Sequence, residues 1–226
     1  MSEAANTAVS APVEDYVKAI YALTLEPDQT ASTSQIAERL GITAGSVSTM
    51  IKRMDASGLA EHVPYRGVRL TPNGRKLALA VIRRHRLLEL FLATSLDIPW
   101  ENVHGFADAL EHAASDELIE LIATKLGDPV ADPHGDPIPN RLLEIDDHAQ
   151  PTIAELEPGE QARVVRVSDA EPEMLRYLTE QGIGIGDELE LIERQPFDGP
   201  CLVRLHDRSE HNLGLRLAQA IHVEPR

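Results

Sequence analysis

Apolar residues in the first patterned stretch recur at helical spacing: Val13, Val17, Ile20, Tyr21 and Leu25 share a face, and Glu26-Pro27-Asp28 stops the run. Residues 1–12 are mostly Ala, Ser and Thr with little to bury, so a disordered lead-in is expected there. Ile36, Ala37 and Leu40 form one face of a second short helix, with Gly41 as its exit. A third helix starts from a Thr43 cap and buries Val47, Met50 or Ile51, and Met54, before Gly58-Leu59 ends it. Two short helices joined by a glycine turn describe a helix-turn-helix. Residues 59–63 and 68–71 alternate as two strands around Pro64-Tyr-Arg-Gly67, a hairpin wing. Thr71-Pro72 restarts helix, which runs to about Leu96. After Asp97-Ile-Pro99 the pattern resumes as one helix from Glu101 or Asn102 to about Lys125.

A Pro-, Asp- and Gly-rich stretch at 128–139 follows, and then the character changes. Residues 162–167, 188–192, 202–205 and 220–223 read as short strands, with one helix at 172–181. Strands at that density suggest a small β-barrel. The fold class is therefore mainly α with β, built from more than one module.

The formal net charge of −16 argues against nucleic acid if taken as one number. Its distribution changes that reading. Residues 43–86 hold nine basic residues (Lys52, Arg53, Arg66, Arg69, Arg75, Lys76, Arg83, Arg84, Arg86) against two acids, a local excess of +7. From Leu96 onward there are 10 basic residues against 28 acids. The asymmetry points to a DNA-facing module and a module with another task. On the second helix of the helix-turn-helix, Thr43, Ser46, Ser48 and Thr49 are the candidates for the groove. Lys52, Arg53 and wing residue Arg66 are the candidates for phosphates.

On the helix after Pro99, His104, Asp108, Glu111 and His112 fall on one stripe about 100° wide. The preceding helix places His85 and Glu89 at i, i+4. Imidazoles with carboxylates suit a divalent transition metal, and an oxygen-rich set leans toward manganese or iron. An amphipathic helix with a wet face needs no ligand. However, residues 87–124 contain eight acids and no Lys or Arg, so the face lacks the counter-ions that ordinary helix surfaces carry. The single cysteine, Cys201, excludes a Cys-only zinc site and reads as a packed core thiol. No metallopeptidase, Gly-x-Ser-x-Gly or phosphate-loop motif occurs, so no enzyme is expected. No apolar run approaches about 18 residues and no signal peptide is seen, which leads to the expectation of a soluble, cytoplasmic protein.

In order along the chain stand Glu14-Asp-Tyr-Val-Lys-Ala-Ile-Tyr21, Ile36-Ala-Glu-Arg-Leu40, Val47-Ser48 with Arg53-Met54, Gly58-Leu59 and Leu70-Thr-Pro-Asn-Gly74. Arg84-His-Arg-Leu-Leu-Glu89, Glu111-His112 with Ser115-Asp116, and Pro137-Ile-Pro139 follow. This series resembles the diphtheria toxin repressor family of iron- and manganese-sensing repressors, from about Val13 to the C-terminus. The resemblance implies a winged helix-turn-helix DNA-binding domain at 13–80, a helical dimerisation and metal-binding domain at 81–145, a linker at 146–158, and an SH3-like domain at 159–226, similar to a small iron-transport accessory protein. It implies a primary metal site of Asp15, Asp108, Glu111 and His112, and an ancillary site of His85, Glu89 and His104 with Glu171 from the SH3-like domain.

The iron-sensing branch has Met and Cys where this chain has Asp15 and Asp108, so the resemblance is to the manganese-sensing branch. Mn²⁺ is the expected ion and Fe²⁺ the alternative. Lys18 stands where that branch has a second acid, and Met174 where the family often has an amide. The expected protein is a homodimeric, metal-dependent repressor of metal-homeostasis genes on palindromic operator DNA. The alternatives are an iron-responsive repressor of the same family and a metal-independent winged-helix regulator with a partner-binding barrel.

Overall fold

The computed structural model describes residues 10–26, 28–146, 148 and 150–226. Positions 1–9 of the expected lead-in lie outside the described residues, and Ala11 and Pro12 already belong to the first helix. The chain divides into two compact units.

The first unit holds the residues up to Arg84 with Glu111–Ala113 and Pro139–Glu144. Helix α1 (Ala11–Leu23) buries Tyr16, Val17, Ile20 and Tyr21 and keeps Asp15 half-buried on another face. Helix α2 (Thr33–Leu40) starts in a capping box: the Ser32 hydroxyl accepts from the Gln35 amide, and the Gln35 side chain accepts from the Ser32 amide at 2.9 Å. It exits through Gly41 at φ 64°, a left-handed turn that glycine adopts without strain. Helix α3 (Ala44–Ala56) is capped by Thr43, whose hydroxyl accepts from the Ser46 amide, and buries Val47, Ile51 and Met54. Strands β1 (Ala60–Val63) and β2 (Gly67–Leu70) pair antiparallel from Ala60–Leu70 to Val63–Gly67, forming the wing. Ala31 adds a further bridge to Val68. Helix α4 (Pro72–Ser95) then begins against the end of α3 so closely that a Cβ on Gly74 would lie 1.8 Å from the Leu59 carbonyl oxygen.

The second unit holds His85–Leu110, Ala114–Ile138 and the residues from Ile145 onward. The single helix expected to reach Lys125 is two helices, α5 (Trp100–Glu111) and α6 (Asp116–Lys125). The break has a local cause. Ser115 caps α6 by accepting from the Leu118 amide, and Asp116 and Glu117 in the first turn suit the positive end of its dipole. Leu87, Leu92, Val103, Ala107, Ile119 and Ile122 form one apolar core of this unit.

A second core lies under a five-stranded antiparallel sheet of order β6-β5-β4-β3-β7. Its strands are β3 (Gln161–Val167), β4 (Glu188–Arg194), β5 (Cys201–Leu205), β6 (Glu210–Leu213) and β7 (Ile221–Pro225), with α7 (Pro172–Gln181) and α8 (Leu215–Ala220) between them. Strand β6 and helix α8 are additions to the sequence reading. Register shifts at Val164/Arg166 and Leu191/Glu193 bend this SH3-like sheet around Leu178, Leu191 and Val223. Cys201 is a buried thiol of this core.

The 132–136 turn is held by two buried carboxyl groups. The Asp132 carboxylate accepts from the amides of His134 and Asp136 at 2.8 and 2.9 Å. Asp136 pairs with Arg86 at 3.2 Å and Arg166 at 2.9 Å.

Gly74→Ala would gain helix propensity in isolation, but here its methyl meets backbone that has nowhere to go. We expect a loss of about 2 kcal/mol or more in denaturant unfolding; a neutral or stabilising effect would refute the close approach.

Candidate metal centres and nucleic-acid interface

Thr43 at the cap of α3 and Ser46, Ser48, Thr49, Lys52 and Arg53 on it are all exposed, and Arg66 is exposed on the wing beside Tyr65. The hydroxyls are largely committed to their own helix. Ser48 donates to the Ala44 carbonyl at 3.0 Å, Thr49 to the Gly45 carbonyl at 3.1 Å, and Thr43 and Ser46 bond each other at 3.0 Å. Their remaining lone pairs and the Thr49 methyl can meet base edges, but few donors are left, so Lys52, Arg53 and Arg66 carry the electrostatic part.

In the first unit, Asp15 of α1 meets the end of α5. The His112 Nε2 lies 3.0 Å from Asp15 Oδ1 and 3.6 Å from Glu111 Oε1, and these three residues form a group fit for one metal ion. Glu111 is fully buried, and Lys18 Nζ donates to its Oε1 at 2.7 Å. The other ring nitrogen, His112 Nδ1, donates to Glu14 Oε2 at 2.6 Å, and Arg84 holds the second Glu14 oxygen. Glu14 thus fixes the tautomer that turns Nε2 toward Asp15 and Glu111, the usual device behind a metal-binding imidazole. Two carboxylates and a nitrogen suit a hard divalent ion.

In the second unit, His85, Glu89 and His104 converge. Glu89 Oε1 lies 3.0 Å from His85 Nε2 and 3.2 Å from His104 Nδ1, which are themselves 3.2 Å apart. Asp108 joins this group. Its two oxygens face His85 Nδ1 at 3.4 Å and His104 Nε2 at 3.3 Å. The SH3-like part contributes Asp169, 3.3 Å from His104 Nδ1, whereas Glu171 is bound to Arg216. His134 and Asp169 make a further metal-competent group with Glu89.

Hydrogen bonds to Asp108, Asp169 and Glu89 push the His104 imidazole up to about 12. Burial pushes the Glu89 carboxyl up, but the bonds from His104 and His85 outweigh it and hold the group well below the usual carboxylate range. Burial, with Asp136 and Glu89 close by, raises Asp132 to about 8.

Sequence reasoning missed Glu14, Asp132, His134 and Asp169. Asp132-Pro-His-Gly-Asp136 carried a signal, a histidine between carboxylates in a tight turn. Asp169 carried none, since nothing in its spacing distinguishes it from Glu171.

Three family models match the chain: "Iron dependent repressor, N-terminal DNA binding domain" over residues 8–68, "Iron dependent repressor, metal binding and dimerisation domain" over 71–140, and "FeoA domain" over 152–225. The diphtheria toxin repressor of Corynebacterium glutamicum is 34% identical over 221 residues, covering 93% of this chain and 95% of that protein. The iron-dependent repressor IdeR of Mycobacterium tuberculosis is 35% identical over 189 residues, 80% of this chain and 76% of IdeR. Among solved structures, a manganese-dependent transcriptional repressor in complex with manganese superposes with a TM-score of 0.88 at 38% identity, covering 95% of this chain and 100% of that one. ScaR with bound Zn²⁺ superposes at 0.78 with 30% identity, covering 94% of this chain and 98% of that one. Fold and site together define a winged-helix DNA-binding protein with metal-binding residues. The chain belongs to the diphtheria toxin repressor family and is a metal-dependent transcriptional repressor, not an enzyme.

Two outcomes follow from the site geometry. Glu14→Gln removes the charge that orients His112 without touching Asp15 or Glu111, and should weaken metal affinity about tenfold in chelator competition; unchanged affinity would mean Glu14 plays no part. Because metal-free His104 carries a proton that an ion must displace, metal uptake in the second unit should release protons, and its apparent affinity should rise from pH 6 to pH 8. Titration in weakly and strongly ionising buffers checks this, and an affinity that falls with pH would contradict it.

Proposed function

We propose that the protein is a Mn²⁺-responsive repressor acting in the cytoplasm as a homodimer on pseudo-palindromic operator DNA. The observation that carries the metal dependence is the Asp15–Glu111–His112 group, which joins α1 of the DNA-binding segment to the end of α5. When bound, the ion supplies the positive charge that holds these donors together. The chain's own residues prepare that closure. Glu14 and Arg84 aim His112, and Lys18 offsets the single charge of the buried Glu111, which leaves the group with charge for one ion rather than two. A ligand shifts a conformational equilibrium only through its differential affinity for the two states, and donors drawn from separate elements have that property.

The manganese assignment rests on donor chemistry. Among the described residues the three metal-competent groups contain only carboxylates and imidazoles, and Cys201 is committed to the core of the sheet. Oxygen-rich donors favour Mn²⁺ over softer ions. That the solved relatives with high similarity include manganese-dependent repressors agrees with this, while the curated relatives named above include iron-dependent ones. Asp108 faces His85 and His104, and in this reading it serves the ancillary group; Asp169 takes the place expected of Glu171.

Support for the homodimer comes from the apolar surface that α5 and α6 leave exposed: Phe106, Leu110, Leu118 and Leu121 are each more than 40% exposed in the single chain. A paired protomer would cover them and set two copies of α3 about one DNA turn apart.

The deciding measurement is operator affinity against free Mn²⁺ and Fe²⁺ under anaerobic conditions. Mn²⁺ should activate binding at least tenfold, and Asp15→Met, which puts a softer thioether in place of an oxygen donor of the Asp15–Glu111–His112 group, should abolish most of that activation and turn what remains toward Fe²⁺. An Asp15→Met protein that still prefers Mn²⁺ as strongly as the parent would refute the manganese assignment, and operator binding indifferent to metal would refute the switch. Symmetric footprints are the expected pattern; protection of one half-site alone would count against the dimer.

A further inference from the structure

His134 is fully buried, and its two ring nitrogens are treated unequally. Nε2 lies 2.8 Å from the Trp100 carbonyl oxygen, which can only accept, so Nε2 carries the proton. In the neutral ring Nδ1 is then a bare lone pair. It makes no hydrogen bond, yet it points at Glu89 Oε2, 3.9 Å away, with Asp132 Oδ1 at 4.0 Å. A buried acceptor without a donor is unfavourable. The spacing is too long for a hydrogen bond, but two donor atoms each about 2.0–2.3 Å from a shared ion lie that far apart.

The other oxygen of the same carboxylate, Glu89 Oε1, faces His85 Nε2 and His104 Nδ1. Asp169 likewise faces both ways. Its Oδ2 is 3.3 Å from His104 Nδ1, and it belongs to the group of Glu89 and His134. Asp108 meets the outward nitrogens of His85 and His104 and so fixes which nitrogens turn inward.

We propose that this cluster holds two divalent ions at once as a carboxylate-bridged pair, one on His85 and His104 and the other on His134, with Glu89 and Asp169 shared between them. The second ion answers the buried lone pair of His134, which meets no hydrogen-bond donor among the described residues. Trp100 serves as a positioning residue: its carbonyl sets the His134 tautomer, its indole stacks on the imidazole at 5.9 Å, and its Nε1 donates to Thr179 Oγ1 at 2.8 Å. The proposal rests on the metal-dependent reading above but makes a separate claim, that the centre is binuclear.

The test uses the full-length protein loaded with Mn²⁺, counting ions per protomer after removal of free metal and recording the electron paramagnetic resonance spectrum. We expect three ions per protomer and a component with half the hyperfine spacing of an isolated ion, the sign of an exchange-coupled pair. His134→Asn should lose one ion and the coupled component together. Asp169→Asn, at a half-buried position that folding depends on less, should also remove the coupling. Two ions per protomer with only isolated-ion signals, or a His134→Asn protein that keeps all three, would overturn the bridged pair even while Mn²⁺ still activates operator binding. Loss of that activation itself is the separate failure of the metal-dependent reading.

Discussion

Two buried carboxylates set the terms for both units. Glu111 is fully buried and Glu89 has 1% of its surface exposed, and an isolated carboxylate in such a place costs several kcal/mol unless positive partners surround it. In the first unit, Lys18 and His112 meet Glu111, which requires α1 to pass the end of α5 with its Asp15 and Lys18 faces inward. In the second, His85 and His104 meet Glu89, which requires α4 and α5 to present those imidazoles to each other. Packing and metal chemistry are therefore not separate layers here. The imidazoles that meet the buried carboxylates in the metal-free protein are also groups that a divalent cation would use, whereas Lys18 only offsets the charge of Glu111.

The burial of charge also explains the conformation of the Pro-, Asp- and Gly-rich stretch at 128–139. Arg86 and Arg166 draw Asp136 in, Asp132 closes the turn through two backbone amides, and His134 is carried inward with its tautomer set by Trp100. Proline and glycine supply the backbone freedom and restriction of the turn, while charge decides where it docks. Gly135 marks how tight that docking is, since a Cβ there would lie 2.0 Å from the Val165 carbonyl oxygen.

The DNA-facing surface is built on a different principle. Its hydroxyls cap or back-bond their own helix, so α3 presents a small, self-satisfied surface flanked by cations. In the proposed reading such a surface approaches the duplex closely and gains affinity from phosphates, with sequence preference falling partly to the shape of the groove. The overall acidity of the chain is then the signature of the metal-binding part and of the sheet, and does not contradict DNA binding.

Most of the architecture was legible along the chain, because it depends on interactions between near neighbours. The cap at Thr43, the exit at Gly41, the wing hairpin and the strands at 161–167, 188–194 and 201–205 each follow from residues within a few positions of one another. The spacing of His104, Asp108, Glu111 and His112 also marked one segment as a candidate source of ligands. It did not show how they would divide, because the helix ends at Glu111 under the Ser115 cap, Asp108 turns to His85 and His104, and His112 turns to Asp15. Asp169 rather than Glu171 faces His104, and Arg216, a residue 45 positions further on, pairs with the Glu171 carboxylate instead. Local periodicity thus determined which elements form and which faces carry polar groups. Long-range pairing of charges, whose cost of burial depends on every neighbour brought in by the fold, decided which of those groups share a site.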